Sequence, residues 1–533
     1  GSGADQGGHR LMRRKVSKLP PSLWRQISQL VFLAFFLFLF VKTDYSGSDE
    51  LTWAVNILFR IDPLLAVTAM AAGRTIIALM LPAAITLALT VLFGRFFCGW
   101  ICPLGTLIDG SRRLVERSGA SRERDGRRFK YYLLIFLLAA SLFGLPLAGY
   151  LDPFSILVRG LTFAVHPALD HAATSFFTLT YQHGPAWLNI VTEPVYAVLK
   201  EYVLPFAAKV YGLSVVSLLV LIAVLGLGFF GRRFFCRALC PLGALLALFS
   251  RYSLFRLTGG SPECAGCRQC RTVCRMAAID DERNIAAAEC ILCLDCLPSC
   301  PKSLIHYGWG RGANRGQAID LSRRAAIASL AAGMLSPLML PSRLLARHAD
   351  PQLIRPPGAC AEEEFLGRCV RCGECMKVCI GNALHSTWLE AGLEGIFSPR
   401  LISRIGYCEF NCTLCGQVCP TGAIRRLSRQ EKHATIIGRA YIDRNRCLPF
   451  ADGVPCIVCE EHCPTPDKAI KFRDAEVVNG RGETVRLLQP YIVGELCIGC
   501  GICENKCPLS GEAAVIVTAA GQSRESGGLT IYG

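Results

Sequence analysis

The stretch CAGCRQCRTVC at residues 264–274 is followed by CILCLDCLPSCP at residues 290–301. In each stretch two residues separate each of the first three cysteines from the next, and three residues separate the third cysteine from the fourth. This spacing is written C-x2-C-x2-C-x3-C. Four further groups of four cysteines lie downstream, and three of them end in Cys-Pro. The six groups hold 24 of the 29 cysteines, and the downstream ones are Cys369/Cys372/Cys375/Cys379, Cys408/Cys412/Cys415/Cys419, Cys447/Cys456/Cys459/Cys463 and Cys497/Cys500/Cys503/Cys507.

This spacing is typical of cysteines that bind [4Fe–4S] clusters, and in a two-cluster run the fourth cysteine of each stretch binds the other cluster. Zinc sites typically use paired C-x2-C knuckles. Disulfide scaffolds carry more than about 8–10% cysteine, whereas 29 of 533 residues is near 5%. We therefore predict six [4Fe–4S] clusters. The first two are assigned to Cys264, Cys267, Cys270 and Cys300, and to Cys290, Cys293, Cys296 and Cys274.

The pairing of the downstream motifs has two solutions. Neighbouring motifs would exchange Cys379 with Cys419 and Cys463 with Cys507, whereas the four-cluster subunits of molybdenum reductases pair the first motif with the last. Cys360 is left over, and we assign it no role. Strand-like runs flank the last two motifs in the order of a ferredoxin β-α-β repeat, and they are Arg439–Asp443, Ala469–Phe472, Pro490–Val493 and Ala514–Val517.

The rest of the chain is apolar, with a mean hydropathy of +0.37 and 52% hydrophobic residues. About 20 helical residues cross a hydrocarbon core of roughly 30 Å. We predict a membrane α-helical fold: a four-helix bundle of two repeated hairpins plus a fifth anchor helix, with α+β bacterial-ferredoxin-like [4Fe–4S] domains on both sides. The uncharged stretches that predict these helices are Gln26–Val41, Thr75–Gly94, Tyr131–Leu151, Val210–Gly231 and Ala325–Ser342.

Lysine and arginine collect before the first stretch and between the second and third, which places these segments in the cytoplasm by the positive-inside rule. The net charge of +16 is read as this orientation signal, and no nucleic-acid partner is expected. We expect a bacterial inner (cytoplasmic) membrane protein. Its predicted segments are a basic cytoplasmic N-terminus (1–25), a transmembrane domain (26–255), a cytoplasmic two-cluster domain (256–310), a signal and fifth helix (318–348), a periplasmic four-cluster domain (355–520) and a tail (521–533).

Ser322-Arg323-Arg324 and the mildly apolar run after it are similar to a twin-arginine export signal inside the chain. Such a signal carries a folded domain across the membrane, as clusters assembled in the cytoplasm require. An ordinary positive flank on an anchor helix is the alternative, and both interpretations place the last domain outside. We expect the segment to stay attached as the fifth helix.

An internal repeat relates RFFCGWICPLG at 95–105 to RFFCRALCPLG at 233–243, with eight of eleven positions identical. The cysteine pairs Cys98/Cys102 and Cys236/Cys240 have the i, i+4 spacing that puts both side chains on one helix face. Three fates are open for them: metal or cluster binding, dithiol cycling, or simple packing. We favour a further iron or iron–sulfur centre, because soft thiolates select such groups.

Each hairpin also carries one Asp-Pro pair, Asp62-Pro63 and Asp152-Pro153. Aspartate is a strong N-cap, and proline fits the first helical position. We predict structural caps first and proton-handling carboxylates second.

The hairpin repeats with Cys-x3-Cys-Pro-Leu-Gly and the two-cluster segment after them resemble the NapH-type membrane ferredoxins, which are related to the NosR and MauN proteins. The segment from Ser322 onward resembles the twin-arginine-exported NapG and MauM ferredoxins with four cubane clusters. The resemblance implies a quinol dehydrogenase module in a membrane complex. It takes electrons from membrane quinol and delivers them to a periplasmic redox partner, a cytochrome c or a multihaem or molybdenum protein. This chain departs from both families by joining the two proteins, and it lacks a flavin-binding domain of the NosR kind.

Quinol oxidation needs a base, and the loop between the third and fourth stretches holds His166, Asp170 and His171. Histidine, with an ordinary pKa of about 6.5, suits this role, although histidines at an interface are often merely solvated. We predict a quinol site there. Two alternatives are an assembly, maturation or metal-reducing factor for a partner metalloenzyme, and reverse electron flow from a periplasmic donor into the quinone pool.

Overall fold

The computed structural model describes residues 21–51, 53–117, 126–259, 264, 267–309, 319, 321–339, 350–478 and 480–524. We call residues 21–259 the helical half, 264–309 the middle domain and 350–524 the C-terminal domain. The basic N-terminus up to residue 20, the basic loop residues 118–125, residues 340–349 and the tail from 525 lie outside the described residues, and the expectations for them stay predictions.

The helical half contains twelve of the described helices: α1 (Pro21–Lys42), α2 (Asn56–Arg60), α3 (Pro63–Gly73), α4 (Ala83–Phe93), α5 (Phe96–Trp100), α6 (Pro103–Arg117), α7 (Phe129–Leu142), α8 (Pro153–Gly160), α9 (His166–His183), α10 (Ala186–Tyr202), α11 (Ser214–Gly226) and α12 (Pro241–Ser250). Short 3-10 or π segments extend α8 and α11 and precede α12.

Among the described residues one helix, Ser22–Lys42, is long and apolar enough to cross a membrane. The helices predicted over 75–94, 131–151 and 210–231 are present but shorter, at Ala78–Phe93, Phe129–Leu142 and Ser214–Phe230. Proline and glycine limit them: α4 starts only after Pro82, α7 ends before Gly144-Leu145-Pro146, and the 3-10 extension of α11 ends before Gly231. An 11-residue helix such as α4 rises only about 16 Å, so a bundle of four continuous spanning helices is not supported.

Both predicted Asp-Pro caps are confirmed. The Asp62 carboxylate accepts hydrogen bonds from the backbone N–H groups of Leu64 and Leu65 at the start of α3. The Asp152 carboxylate accepts one from Ser155 at the start of α8. In both helices proline occupies the first position, so the two hairpins of the repeat begin their inner helices in the same way.

The middle and C-terminal domains are built on short antiparallel strand pairs. β1 (Phe255–Thr258), at the end of the helical half, pairs with β2 (His306–Trp309) at the end of the middle domain. The short helix α13 (Gln269–Val273) lies between them in the chain. In the C-terminal domain β3 (Leu384–Ser386) pairs with β4 (Pro399–Leu401), β5 (Arg439–Ile442) with β8 (Val515–Thr518), and β6 (Ile470–Val478) with β7 (Thr484–Ile492). The four strand-like runs predicted near the last two motifs all fall on these strands.

Eight more helices complete the described chain. α14 (Arg323–Met339) is the predicted fifth helix, and α15 to α21 belong to the C-terminal domain: Glu362–Arg368, Glu374–Lys377, Leu414–Val418, Arg429–Ala434, Leu448–Ala451, Val458–Glu461 and Ile502–Lys506. The α14 helix packs along α7, with Gly333 against the backbone of Phe136. The N–H of Ser322 donates to the Tyr132 hydroxyl at 2.9 Å, so the two helices start at the same end and run parallel.

The C-terminal domain packs directly on the helical half. Val370 and Cys372 belong to the same buried apolar cluster as residues of α1, α3, α7, α8 and α12. At the contact, Gly149 lies against the carbonyl of Val370 with no room for a β-carbon. The Arg159 guanidinium donates to the carbonyls of Gly149 at 2.7 Å and Arg371 at 2.9 Å. One continuous core therefore joins the two parts of the chain.

We expect Gly149→Ala to loosen this contact. Its methyl group would overlap the Val370 backbone, and overpacking of this kind costs about 1–3 kcal/mol. Backbone hydrogen exchange over residues 370–378 should accelerate in the variant. Gly212→Ala is the matched control at the same interface, since its nearest neighbour would be the Ser386 hydroxyl at 4.0 Å. Unchanged exchange in Gly149→Ala would contradict the packing described.

Candidate iron–sulfur sites

The first two motifs of the C-terminal domain line two cavities. Three thiols of the first motif, Cys369, Cys372 and Cys375, line one cavity with Cys419 of the second motif. The remaining thiol, Cys379, lines the other cavity with the three other cysteines of the second motif, at 408, 412 and 415. The fourth cysteine of each motif has therefore crossed to its neighbour.

The last two motifs repeat this exchange. Cys463 lines a cavity together with Cys497, Cys500 and Cys503. Cys507 lies close enough to Cys447 for their charges to interact, and Cys456 and Cys459 also lie close to Cys447. The geometry agrees with exchange between neighbouring motifs, and it does not pair the first motif with the last.

The middle domain follows the two-cluster rule. Cys270 has Cys267 and Cys300 as electrostatic neighbours. Cys290 has Cys293, Cys274 and Cys296. Cys264 lies beside Cys267, since its backbone carbonyl accepts a hydrogen bond from the Cys267 N–H. The exchange of Cys274 and Cys300 that the spacing predicts is thus the arrangement observed.

Backbone N–H groups are directed at several of these sulfurs. Such donors stabilise the thiolate form and tune the potential of a bound cluster. Each pair lies at 3.3–3.5 Å, and the pairs are Ala278 to Cys274, Leu292 to Cys290, Leu304 to Cys300, Ile424 to Cys419, Ala440 to Cys497 and Ala514 to Cys507. None of the 29 cysteines forms a disulfide. Apolar cavities lined by four thiols and supported by N–H donors fit a cubane cluster.

The repeat brings Cys98, Cys102, Cys236 and Cys240 together, and we call them the four-thiol group. Each lies in the electrostatic neighbourhood of the others. Among the described residues, no set of three or more His, Cys, Asp or Glu side chains has the geometry of a single metal ion. The thiols are therefore near one another without converging on one point.

Two buried arginines cross over between the repeats. The Arg95 guanidinium lies against Gly243 of the second repeat and within 4.0 Å of the Cys98 sulfur. The Arg233 guanidinium lies against Gly105 of the first repeat. A β-carbon at Gly243 would press on Arg95, which explains why the motif ends in glycine. Two buried guanidinium groups therefore lie beside the four thiols.

The four-thiol group also adjoins the middle domain. Cys98 and Cys236 pack against the small apolar cluster that contains Ile291 and Cys293. The Trp100 indole N–H donates to the carbonyl of Leu292 at 2.9 Å. The thiols of the repeat and those of the second middle-domain motif are therefore neighbours in one packed region. Sequence reasoning missed this contact.

The three residues predicted for the quinol site lie in different environments. His166 is 9% exposed and Asp170 is 4% exposed, and both lie on the buried face of α9. His171 lies on the exposed face. His166 Nε2 is 3.1 Å from the Val203 carbonyl, and its Nδ1 is 3.9 Å from the Asp44 carboxylate. The structure therefore buries His166 and Asp170 and leaves His171 exposed.

Asp44 is the centre of a buried charge network that sequence reasoning did not find. Its carboxylate binds the ammonium groups of Lys209, at 2.7 Å, and Lys377. Burial alone would raise the pKa of Asp44, but the two ammonium groups lower it to about 2. Burial lowers the pKa of Lys377 to about 8. Lys377 also lies 4.2 Å from the centre of the Phe40 ring, and so ties α1 to the C-terminal domain.

The comparisons with known proteins agree with these sites. The family model described as a 4Fe-4S binding domain matches residues 75–119, 213–258 and 415–439. The model described as a 4Fe-4S dicluster domain matches residues 289–384. The first two matched ranges contain the two repeats with the four-thiol group. No solved structure matches this chain.

Three curated relatives illustrate the similarity. The methylamine utilization ferredoxin-type protein MauM of Methylorubrum extorquens is 35% identical over 175 residues, which cover 32% of this chain and 75% of the relative. The ferredoxin-type protein NapG of Escherichia coli is 34% identical over 165 residues, 31% of this chain and 70% of the relative. MauM of Paracoccus denitrificans is 32% identical over 206 residues, 37% and 84% of the two chains.

The cavities and the family models define a ferredoxin-type iron–sulfur protein that transfers electrons. Within that class, the chain belongs to the family of NapG and MauM ferredoxin-type proteins. The aligned part is about a third of this chain, and the resemblance of the helical half to NapH-type proteins is taken up as a proposal below.

We expect Asp44→Asn to destabilise the docked arrangement strongly. It leaves Lys209 and Lys377 without their shared carboxylate, and breaking a buried ion pair typically costs about 3–5 kcal/mol. Chemical unfolding followed by the iron–sulfur absorbance would measure the loss. Glu50→Gln, at an exposed position in the same loop, is the control. Equal stability of the two variants would refute the role of the network.

Proposed function

We propose that this protein is the membrane-bound quinol dehydrogenase module of an electron-transfer complex. It oxidises membrane quinol and passes electrons through six [4Fe–4S] clusters to a periplasmic redox partner, a cytochrome c or a multihaem or molybdenum protein. The observation that carries the proposal is the shared apolar core of the helical half and the C-terminal domain. Bound clusters supply one-electron carriers, and the protein holds them, excludes water and handles protons.

The helix directions support a membrane topology. The α1 helix is long enough to span, and we place its N-terminal end in the cytoplasm by the positive-inside rule. The parallel packing of α14 on α7 would bring Arg323 and Arg324 to the cytoplasmic face. It would send the chain outward to the C-terminal domain, as a retained twin-arginine signal requires.

The four-thiol group is the proposed seventh centre. The middle domain and the C-terminal domain lie at opposite ends of the helical core, and a carrier between them would shorten each transfer. Buried aromatic rings continue from it toward the outer end: Phe97 precedes Cys98, and the Phe154 ring lies 6.0 Å from both Phe97 and Phe59. Two buried arginines beside the thiols would stabilise an anionic iron–sulfur centre.

The quinol site is proposed at the interface around His166. This ring lies 5.6 Å from the Phe40 ring and is close to Asp44. The buried Asp170 carboxylate has one oxygen without a hydrogen-bond partner among the described residues. The nearby Tyr211 hydroxyl donates to the Met376 carbonyl, beside Cys375. A quinol head group bound here would give a proton to His166 and electrons to the centre of the first motif.

Reduction by quinol tests the proposal. Anaerobic mixing of the oxidised protein with a reduced menaquinol analogue should bleach the iron–sulfur absorbance and produce EPR signals of reduced clusters. His166→Gln should slow this reduction by about tenfold or more, since removing a general base costs 10²–10⁴-fold in typical cases. Reduction by dithionite should not change, and the exposed His171→Gln serves as the control.

Two results would contradict the proposal. No reduction by quinol, with every cluster still reduced by dithionite, would favour an assembly or metal-reducing role. Equal rates for wild type and His166→Gln would place the quinol site elsewhere.

Iron analysis tests the seventh centre. Six cubanes require about 24 irons per chain, and the four-thiol group would add up to about four. A Cys102→Ser/Cys240→Ser variant should lose only the additional iron. Cys360→Ser is the control, because Cys360 is also buried but lies outside every motif, with its thiol at the Gly422 carbonyl. Iron at or below about 24 in the wild type, with free thiols at these positions, would refute the centre.

A further inference from the structure

The two capping aspartates of the repeat meet in the core. Asp62 and Asp152 are both fully buried, at 0% exposure, and their carboxyl groups lie close enough to act on each other. One oxygen of each carboxyl group accepts from the backbone at a helix start. The other oxygens, Asp62 Oδ2 and Asp152 Oδ1, have no hydrogen-bond partner among the described residues. Two buried carboxylates this close repel each other, so the pair is most stable with one proton and one negative charge.

Neighbouring groups stabilise the single negative charge of the pair. Both carboxyl groups lie at helix N-termini, which favour an anion. Asp152 is also acted on by the Arg159 guanidinium and hydrogen bonds to Ser155. Asp62 has Asp152 as its main charged neighbour. At the other end of α3, Arg368 of α15 lies beside Gly73, a full helix length from the pair.

Arg159 connects this pair to the first cluster site. Its side chain is 3% exposed, and its charge acts on both Asp152 and Cys372. Its guanidinium also donates to the carbonyl of Arg371 at 2.9 Å, the residue before Cys372. One buried cation thus stands between a shared proton and a cluster ligand.

We propose that Asp62 and Asp152 form a proton-loading site that takes up a second proton when the cluster held by Cys369, Cys372, Cys375 and Cys419 accepts an electron. This inference goes beyond the proposed function and rests on it only for the donor, a hydroquinone. The donor becomes a quinone and releases two electrons and two protons. One electron would reduce the bound cluster, and one proton would turn the carboxyl–carboxylate pair into two carboxylic acids. After that electron and that proton have left, the second electron and the second proton would follow the same path.

The physical reason is charge balance. An added electron makes the cluster site more negative, and Arg159 cannot offset both this charge and the carboxylate in a medium of low dielectric constant. Protonation of the pair removes the competing charge. The electron on the cluster and the proton on the aspartate pair then lie on either side of Arg159. The proton stays on the pair until the electron leaves for the next centre.

Redox titration with mediators tests the proposal without quinol. The midpoint potential of this cluster, followed by EPR, should fall as pH rises in the wild type. In Asp62→Asn and in Asp152→Asn this dependence on pH should weaken. Asparagine keeps the N-cap hydrogen bonds, so the fold and cluster content should survive. Asp443→Asn is the control, because the Asp443 carboxylate caps a turn at Asn445 beside the third motif of the C-terminal domain and should keep the wild-type pH dependence.

Infrared difference spectra give a second readout on the wild type alone. The oxidised protein should show the carbonyl stretch of a protonated carboxyl group that shifts in D2O, and reduction should increase its intensity. A pH-independent potential in the wild type, an unchanged pH dependence in both asparagine variants, or the lack of the infrared band would each overturn the proposal. A failure of quinol to reduce the protein would refute the proposed function and leave these measurements valid.

Discussion

The contact between residues 146–150 of the helical half and Val370 to Cys372 of the C-terminal domain determines how the rest of this molecule is arranged. It consists of backbone groups in direct contact, fixed by a glycine that leaves no room for a side chain. Arginines from both sides lock it: Arg159 donates to the Arg371 carbonyl, and Arg371 donates to the Pro146 carbonyl. Because Cys372 lies within this contact, the first cavity of the C-terminal domain packs against the core of the helical half.

Buried arginines lie beside two of the thiol groups. Arg95 and Arg233 flank the four-thiol group, and Arg159 and Arg371 flank the first cavity of the C-terminal domain. Isolated, each of these charges would be costly in an apolar core. Each arginine donates to at least one carbonyl of another domain or of the other repeat, so the same side chains help to dock these parts of the chain.

The sequence predicted the local features well. Cysteine spacing alone placed Cys274 with the second middle-domain motif and Cys300 with the first, and neighbouring exchange of Cys379 and Cys419 was one of two stated solutions. Asp-Pro predicted both helix caps. These features depend on a few adjacent residues whose chemistry admits few geometries.

The long-range features were beyond sequence reasoning. Hydropathy could not show that Pro82 and Pro146 divide apolar stretches, since both prolines sit in runs that are otherwise uninterrupted. His166 and His171 look equivalent in the chain, but five residues of helix turn place them on different faces. The pairing of Asp62 with Asp152 joins residues 90 positions apart, and only the folded repeat brings them together. Such contacts follow from packing, which a single sequence does not reveal.

The proposed route carries electrons between the C-terminal and middle domains through the four-thiol group. Sealed vesicles with the C-terminal domain outward, to which a membrane-impermeant reductant is added, test this route. EPR should then show reduced clusters of the middle domain in the wild type, and oxidised ones in the Cys102→Ser/Cys240→Ser variant. Middle-domain clusters that stay oxidised in the wild type, or are reduced equally in the variant, would contradict the account.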